Sequence, residues 1–318
     1  MEKSKKKLTL VVIIVLIAAV ACILLAIGLR FLITSGASLI GIALTGGQRS
    51  TPTATQAIAI TPGPLTDVGS FASLSTVPAG LAPCENILLP IAQGHAWTYL
   101  VTARGRTYPV DLRVSSVDSS QAVLEFLPRD LGISTQASVD CEDGRLNNLP
   151  WTAAGMLMDD LVDGAVTVEY LSGELAPSHA EFLAAGWDLA WNGEYTLNGS
   201  GSALFQGNEY VLELTDAPFL LSCRTTGSGQ DAFEPVIVQA GSFNLALKVV
   251  CDFETEAEMT INGLTLNGKI TGTMTQWFAP YIGMLKMQVD SASIRYLLLE
   301  IPVNVSGNVE LTEYQTVP

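Results

Sequence analysis

Hydrophobic and polar residues alternate along most of the chain from Cys84 to Pro318, in short segments separated by turn residues. The clearest segment is 250–261, where the odd positions are mostly apolar and the even positions from Asp252 to Glu258 are acidic. Successive side chains of a strand point to opposite faces, so this pattern predicts a strand with one buried and one anionic face. Asn-Gly pairs at 262–263 and 267–268 predict tight turns beyond it.

The pattern as a whole predicts a mainly β fold: a single twisted antiparallel sheet, a half-barrel or a sandwich, with one or two short helices. One helix is indicated by Ser178 and Glu181, which have the spacing of a capping box, and Gly186 can end it. Residues 152–162 are compatible with a second short helix.

The N-terminus has a different pattern. Four lysines between Lys3 and Lys7 precede Leu8–Leu29, a run of 22 residues without a charge. As a helix this run would span about 33 Å, enough for a hydrocarbon core of roughly 30 Å. The positive-inside rule keeps the lysines in the cytoplasm. We therefore predict a single-pass transmembrane anchor in residues 1–36, in the cytoplasmic membrane, with the C-terminal part outside in the periplasm or on the cell surface.

Lipidation is the alternative anchor. Ala19-Val20-Ala21-Cys22 resembles a bacterial lipobox, in which Cys22 would become the acylated N-terminus after cleavage. The apolar run continues past Cys22, where a mature lipoprotein normally becomes polar. Both interpretations place the rest of the chain outside the cytoplasm.

Between the anchor and the alternating region the composition changes to Thr, Pro, Ser and Gly. Such a segment cannot build a core, and its prolines favour extended conformations. We predict three parts, namely the anchor at 1–36, a linker at 37–83 and an extracytoplasmic β-rich domain at 84–318.

The charge of the chain limits the classes of molecule that it can bind. Only 15% of the 318 residues are charged, against roughly 25% in an ordinary soluble domain. Residues 1–36 hold five basic residues and one acidic residue, which leaves 11 basic against 30 acidic residues and a net charge of −19 outside. Such a domain repels the phosphate backbone, so we expect no nucleic-acid partner. The membrane, through the N-terminal helix, is the expected partner.

Four of the five cysteines lie in the exported part, and four cysteines allow three pairings. Their positions in the sequence favour Cys84 with Cys141 and Cys223 with Cys251, while free structural cysteines are the alternative. A zinc site is not indicated, because no C-x-x-C spacing or neighbouring histidine accompanies them.

The sequence contains none of the catalytic motifs that its histidines could belong to. The two histidines, His95 and His179, lack a G-x-S-x-G serine or an H-E-x-x-H motif, and surface or capping positions account for them. We predict no cofactor, no metal and no enzyme activity. The acidic positions 252–258 are expected to form a solvated face, since residues two apart on a strand are about 7 Å apart and cannot enclose a calcium ion without other ligands.

An aromatic series leaves one alternative open. Trp187, Trp191 and Tyr195 recur every fourth residue, close to Asp188 and Glu194. This spacing is compatible with core packing. It is also compatible with a sugar-binding surface, and glycoside hydrolysis would require a carboxyl pair beside it.

Several short motifs resemble those of a known family. They are Cys84-Glu85-Asn86, Gly94-His95-Ala96-Trp97-Thr98-Tyr99, Val236-Ile237-Val238-Gln239-Ala240-Gly241-Ser242-Phe243 and Trp277-Phe278-Ala279-Pro280-Tyr281-Ile282-Gly283-Met284-Leu285-Lys286. Together they are similar to signatures of TapB-like bacterial envelope proteins and lipoproteins of unknown function. The resemblance implies a curved β-sheet domain outside the cytoplasmic membrane, and it carries over no catalytic residue.

Three functions follow as hypotheses. The first is a membrane-tethered domain that binds an apolar ligand, such as a lipid, or an envelope partner without catalysis. The second is a surface enzyme or binding module that acts on glycans. The third is a purely structural envelope component.

Overall fold

The computed structural model describes residues 65–66, 69–103, 106–129, 135–148, 162–205, 208–261, 264–296, 299–303 and 307–316. Among these residues there is no helix with the length and apolar character needed to cross a membrane. The predicted anchor and Cys22 lie outside the described residues.

Strands make up most of the described chain. They are β1 (Leu65–Thr66), β2 (Ala96–Ala103), β3 (Arg106–Val117), β4 (Gln121–Pro128), β5 (Thr135–Glu142), β6 (Arg145–Leu146), β7 (Val162–Gly173), β8 (Ala190–Phe205), β9 (Asn208–Thr225), β10 (Phe233–Val238), β11 (Gly241–Ile261), β12 (Leu264–Ala279), β13 (Gly283–Tyr296), β14 (Leu299–Val303) and β15 (Gly307–Gln315). Helical structure within the described ranges is confined to one α-helix, α1 (His179–Ala184), and two 3₁₀ turns at Phe71–Ser75 and Gly229–Ala232.

All fifteen strands belong to one sheet, in the order β6-β5-β4-β3-β2-β15-β13-β12-β11-β9-β8-β7, with β1 and β10 also beside β11 and β14 beside β13. Neighbours are antiparallel, apart from β1, which runs parallel to β11. The predicted mainly β architecture with a single antiparallel sheet is thereby confirmed. Of the predicted second helix, residues 152–161 lie outside the described residues, and Val162 begins β7.

The short helix has the predicted start. The Ser178 side chain accepts a hydrogen bond from the backbone N–H of Glu181, and the Glu181 carboxylate accepts one from the backbone N–H of Ser178. This reciprocal capping box satisfies two donors that a helix start would otherwise leave unpaired. Gly186 follows the helix with φ +62°, a left-handed conformation that glycine adopts without strain.

The two ends of the strand order meet. Leu146 at the end of β6 forms an isolated bridge with Ala176, which follows β7, and its N–H donates to the Ala176 carbonyl (3.0 Å). The Tyr195 hydroxyl of β8 donates to the carbonyl of Asn147 (3.1 Å). The sheet therefore curls around a main apolar core, which contains buried side chains from both halves of the strand order, and a small second cluster lies between β8 and β9.

Two disulfides support this arrangement, and they join the pairs that the sequence favours. Cys84, in the loop before β2, is bonded to Cys141 of β5, and Cys223 of β9 is bonded to Cys251 of β11. The second pair occupies directly opposite positions of neighbouring strands. Both bonds are buried.

Part of the predicted linker packs on this domain. Leu74 is buried, and the Phe71 ring contacts those of Trp187 and Phe233. The Asn244 side chain donates to the Gly69 carbonyl (3.0 Å). Residues 69–75 of the predicted linker thus have packing partners in this domain.

Candidate functional site

The predicted aromatic series is in the core. Trp187, Trp191 and Tyr195 are 4%, 6% and 1% exposed. The Trp191 indole N–H donates to the Leu175 carbonyl (3.0 Å), and Phe182 packs between the two tryptophans, stacked on one and edge-on to the other. The alternative that these rings form a sugar-stacking surface is therefore wrong, because their faces are covered by other side chains.

The histidines are also in the interior, which corrects the expectation of surface positions. His95 and His179 are each 4% exposed. For His179, Nε2 lies 3.0 Å from the Leu74 carbonyl oxygen and Nδ1 lies 2.7 Å from the Tyr281 hydroxyl. Burial lowers the pKa of His179 and raises that of Tyr281 to about 12. A neutral imidazole that donates from Nε2 and accepts at Nδ1 satisfies both contacts.

The alternating pattern of β11 separates two faces of the sheet. Cys251 is buried on the face turned to the core, which we call the inner face, and Phe253 is half-buried on the same side. Asp252 and Glu254 are half-buried on the opposite, outer face. The register places Ser222 of β9 opposite Asp252.

A cleft of about 480 Å³ opens over these outer-face positions. Small-molecule sites have volumes of roughly 300–1,000 Å³, so this cleft has the size of a ligand site. We call it the outer-face cleft; it is lined by Leu220, Ser222, Asp252, Phe253, Glu254, Thr271, Gly272, Thr273, Ser291, Ala292, Ser293 and Glu300.

Five strands contribute to this lining, namely β9, β11, β12, β13 and β14. Asp252 of β11 lies opposite Thr273 of β12, which lies opposite Ser291 of β13. One step further, Glu254 lies opposite Thr271, and Thr271 lies opposite Ser293. Polar groups that are far apart in the sequence therefore form two short rows across the sheet. Phe253, Gly272 and Ala292 are the residues between these rows.

The three carboxylates of the cleft each have a cationic partner. The side chains in these pairs are between 36% and 55% exposed, apart from one arginine at 56%, so a ligand can reach them. The pairs are Asp252 with Arg224 (Oδ2 to Nη1, 2.9 Å), Glu254 with Lys269, and Glu300 with Arg295 (Oε2 to Nη2, 3.3 Å).

Hydroxyl groups connect to the same carboxylates. Thr273 Oγ1 donates to Asp252 Oδ1 (2.7 Å), and Ser293 Oγ donates to Glu300 Oε1 (3.0 Å). Thr271 Oγ1 lies 3.0 Å from Ser293 Oγ. The lining consequently contains two hydrogen-bonded groups, one around Asp252 and one around Glu300, beside the Glu254–Lys269 ion pair.

Hydrogen bonds keep two of these carboxylates ionised. The Thr273 hydroxyl and then the Arg224 guanidinium lower the pKa of Asp252. The Ser293 hydroxyl and the Arg295 guanidinium lower the pKa of Glu300. A glycosidase needs one carboxyl with a raised pKa to protonate the leaving group, and neither Asp252 nor Glu300 meets that requirement.

Within the described ranges, no cluster of three or more His, Cys, Asp or Glu side chains has the arrangement that a metal ion would need. The acidic residues of β11 that the structure describes are included in this statement.

Most of the cleft was not predicted from the sequence. Asp252 and Glu254 stand out in the acidic alternation, but Thr271, Thr273, Ser293 and Glu300 did not. The available signal was the alternation of threonines at 271, 273 and 275, which predicts that their side chains share one face of β12.

Residues of the family-like motifs lie elsewhere and have structural contacts. Asn86 is 1% exposed, and its side-chain amide donates to the carbonyls of Gly144 and Pro177 (2.7 Å each). Trp277 and Lys286 are opposite each other on β12 and β13, with the ammonium 5.2 Å from the ring centre. The motif residues therefore have structural roles, in which they link loops and neighbouring strands.

No family model matches this chain. A search of curated proteins also finds no match.

Among solved structures, the chain is similar to a candidate lipoprotein from Parabacteroides distasonis, with 14% identity, a TM-score of 0.42, and coverage of 72% of this chain and 99% of the other. It is also similar to a candidate exported protein with a YmcC-like fold from Bacteroides fragilis, with 15% identity, a TM-score of 0.38, and coverage of 73% and 100%. These values are too low to carry a function to this chain, and the resemblance to TapB-like envelope proteins stays a prediction.

Proposed function

We propose that this protein is a membrane-tethered, extracytoplasmic domain that binds a ligand in the outer-face cleft without catalysing a reaction. The observation that carries the proposal is the lining itself, in which hydroxyls and carboxylates from five strands converge on one cleft of ligand size. Rigid strands hold these groups in place, which keeps the ordering cost of binding low.

Export is supported by the two buried disulfides. Disulfides persist in oxidising compartments and are rare in the cytosol. The apolar run at residues 8–29 follows a group of lysines, which supports an N-terminal membrane anchor with the lysines in the cytoplasm and the domain outside.

Two of the three cleft carboxylates lack the raised pKa that a general acid needs, which supports a binding role. The depressed pKa values of Asp252 and Glu300 leave both as stable anions engaged in ion pairs. The buried positions of Trp187 and Trp191 also remove the tryptophan-lined cleft that the glycan-hydrolase hypothesis requires.

A wholly apolar ligand does not match the hydroxyls and carboxylates that line this cleft. Burying hydroxyls and carboxylates against a hydrocarbon chain leaves them without hydrogen-bond partners, which costs free energy. The inner face, where an apolar ligand would be expected, is filled by side chains such as Phe182, Phe243 and Leu247, each less than 2% exposed.

The test uses the full chain in detergent micelles, mixed with a protein-free extract of bacterial envelope, with saturation-transfer NMR as the readout. We expect ligand signals with the wild-type chain and their loss with Asp252→Asn/Glu254→Gln. The matched control is Glu142→Gln/Glu169→Gln, which changes two exposed carboxylates away from the cleft and should keep the signals.

Equal signals from the wild-type chain and the cleft variant would contradict the proposal. Chemical turnover of an extract component that stops in the cleft variant would contradict its non-catalytic part.

A further inference from the structure

Each of the three carboxylates that line the outer-face cleft is paired with a cation. Three carboxylates and three cations form three separate pairs, each within the cleft or at its rim. A net charge of −19 for the exported part would suggest a cation-binding surface, but every carboxylate that lines the cleft already has a cationic partner. A charged ligand would have to displace one partner of an existing pair.

The hydrogen-bonding groups of the cleft suit a ligand that both donates and accepts. Carboxylate oxygens of Asp252 and Glu300 accept only, whereas hydroxyls such as Thr271 and Ser293 can do both. Ser222 and Ser291 add two more hydroxyls to the lining. Hydroxyl groups of a ligand can hydrogen-bond to these groups and keep every polar atom satisfied.

Apolar side chains complete the lining, with Phe253 and Ala292 between the two polar rows and Leu220 on β9. Leu220, on β9 opposite Glu254, is 38% exposed, although leucine is mostly buried elsewhere in this domain. An apolar side chain beside hydroxyls and carboxylates matches a molecule with polar edges and a C–H face. Sugar rings have this combination, whereas lipids and free ions do not.

From these three features we infer that the ligand of the outer-face cleft is a neutral, polyhydroxylated compound, a short neutral oligosaccharide. The inference rests on the proposed function and names its ligand class. Recognition takes place through hydroxyls and ion-paired carboxylates, with Leu220 against the C–H face of a ring, and no bond of the sugar is cleaved.

The experiment measures binding of three tetrasaccharides of matched length to the full chain in detergent micelles by isothermal titration calorimetry. The probes are chitotetraose, which is neutral, its fully deacetylated form, which is cationic, and tetragalacturonic acid, which is anionic. We expect chitotetraose to bind, and the two charged probes to bind at least tenfold more weakly, since each must compete with an existing ion pair.

A double variant, Thr271→Val/Ser293→Ala, removes two hydroxyls from the cleft. It should weaken chitotetraose binding about tenfold, because each lost neutral hydrogen bond is worth a factor of roughly two to ten. The matched control, Thr102→Val/Ser115→Ala, removes a threonine and a serine hydroxyl outside the cleft, where they bond to Thr107 and to the Val123 carbonyl. The control should bind as the wild type does.

Leu220→Ala provides a second variant that breaks no hydrogen bond and tests the apolar contact. It should weaken chitotetraose binding severalfold and leave the thermal midpoint unchanged, which keeps the test decisive if the hydroxyl variant folds poorly.

Tighter binding of either charged probe would overturn the inference, as would equal binding of chitotetraose by the wild type and both cleft variants. If no oligosaccharide binds but the envelope extract still gives cleft-dependent NMR signals, the ligand class is wrong and the proposed binding function stands. If the extract gives no such signals either, both proposals fail.

Discussion

The two faces of the central strands differ although they are built from consecutive residues. On β11, Cys251 and Phe253 point to the inner face, while Asp252 and Glu254 point to the outer face. The inner pair forms a disulfide and an aromatic contact, with Phe253 stacked on Phe219 at 6.5 Å between ring centres. The outer pair forms ion pairs with half-exposed partners.

These contacts contribute differently to stability. A buried cross-link and close-packed rings contribute several kcal/mol in typical proteins, whereas an exposed ion pair contributes about 0–1 kcal/mol. The outer face can therefore change its polar groups with little effect on folding. Stability is concentrated on one face, which leaves the other face available for a ligand.

The largest test of this contrast removes the inner-face cross-link. Cys223→Ala/Cys251→Ala opens a loop of 28 residues, and the loop-entropy model gives a loss of about 3.6 kcal/mol in the free energy of unfolding. The matched control is Ser222→Ala/Asp252→Ala, the adjacent cross-strand pair on the outer face, which should lose about 1 kcal/mol or less. Urea unfolding of the full chain, followed by tryptophan fluorescence, measures both.

A similar loss in the two double variants would contradict the separation of stability and polarity between the faces.

A smaller effect is expected at Gly272 of β12. A Cβ atom there would lie 2.3 Å from the Phe253 ring and 2.7 Å from the Ser291 carbonyl oxygen. Both contacts are too short, and one partner is backbone that cannot rotate away. Gly272→Ala should therefore destabilise the domain by about 2 kcal/mol through overpacking.

Ser291→Ala is its control, since it changes the exposed outward side chain of the residue opposite Thr273 and keeps the carbonyl that limits Gly272. We expect a change within about 0.5 kcal/mol for this variant. The same urea measurement applies, and an unchanged midpoint for Gly272→Ala would show that Phe253 does not pack tightly across β12.

Much of the fold could be predicted from the sequence because its signals are local. Alternation at 250–261, the capping box at Ser178 and the cysteine positions each depend on residues close together in the chain. The outer-face cleft could not be predicted in this way. Thr271, Ser293 and Glu300 come together only through the pairing register of β12, β13 and β14, which no single segment encodes.

Two points that the sequence leaves undecided have the same physical origin. Aromatic spacing at Trp187 and Trp191 fits both a surface and a core, and only the curling of the sheet decides which face is covered. The composition of residues 37–83 predicts a linker, yet Phe71 and Leu74 dock on partners more than 100 residues away, such as His179 and Trp187. Composition averages over a segment, whereas docking depends on single side chains.

The smallest expected effect is on the pH dependence of stability, to which the buried His179 and the outer-face Asp252 contribute in different pH ranges. Burial lowers the pKa of His179 below 6.5, and its neighbours are the Tyr281 hydroxyl, the Leu74 carbonyl and the Trp187 ring, with Glu85 acting on Tyr281. The unfolded chain therefore binds a proton at a pH where the folded chain does not. Stability should fall as the pH drops below 6.5 and level off below the folded-state pKa.

Asp252 also has a lowered pKa, so its contribution is fully present above 3.8 and is lost only as the pH falls below that value. Thermal midpoints of the full chain between pH 7.5 and pH 3 separate the two groups, because His179→Gln should flatten the profile near pH 6 and Asp252→Asn should flatten it only at the acid end. If His179→Gln leaves the slope near pH 6 unchanged, the imidazole is not held neutral by its buried position, and the inner side of the sheet is more open to water than its packing indicates.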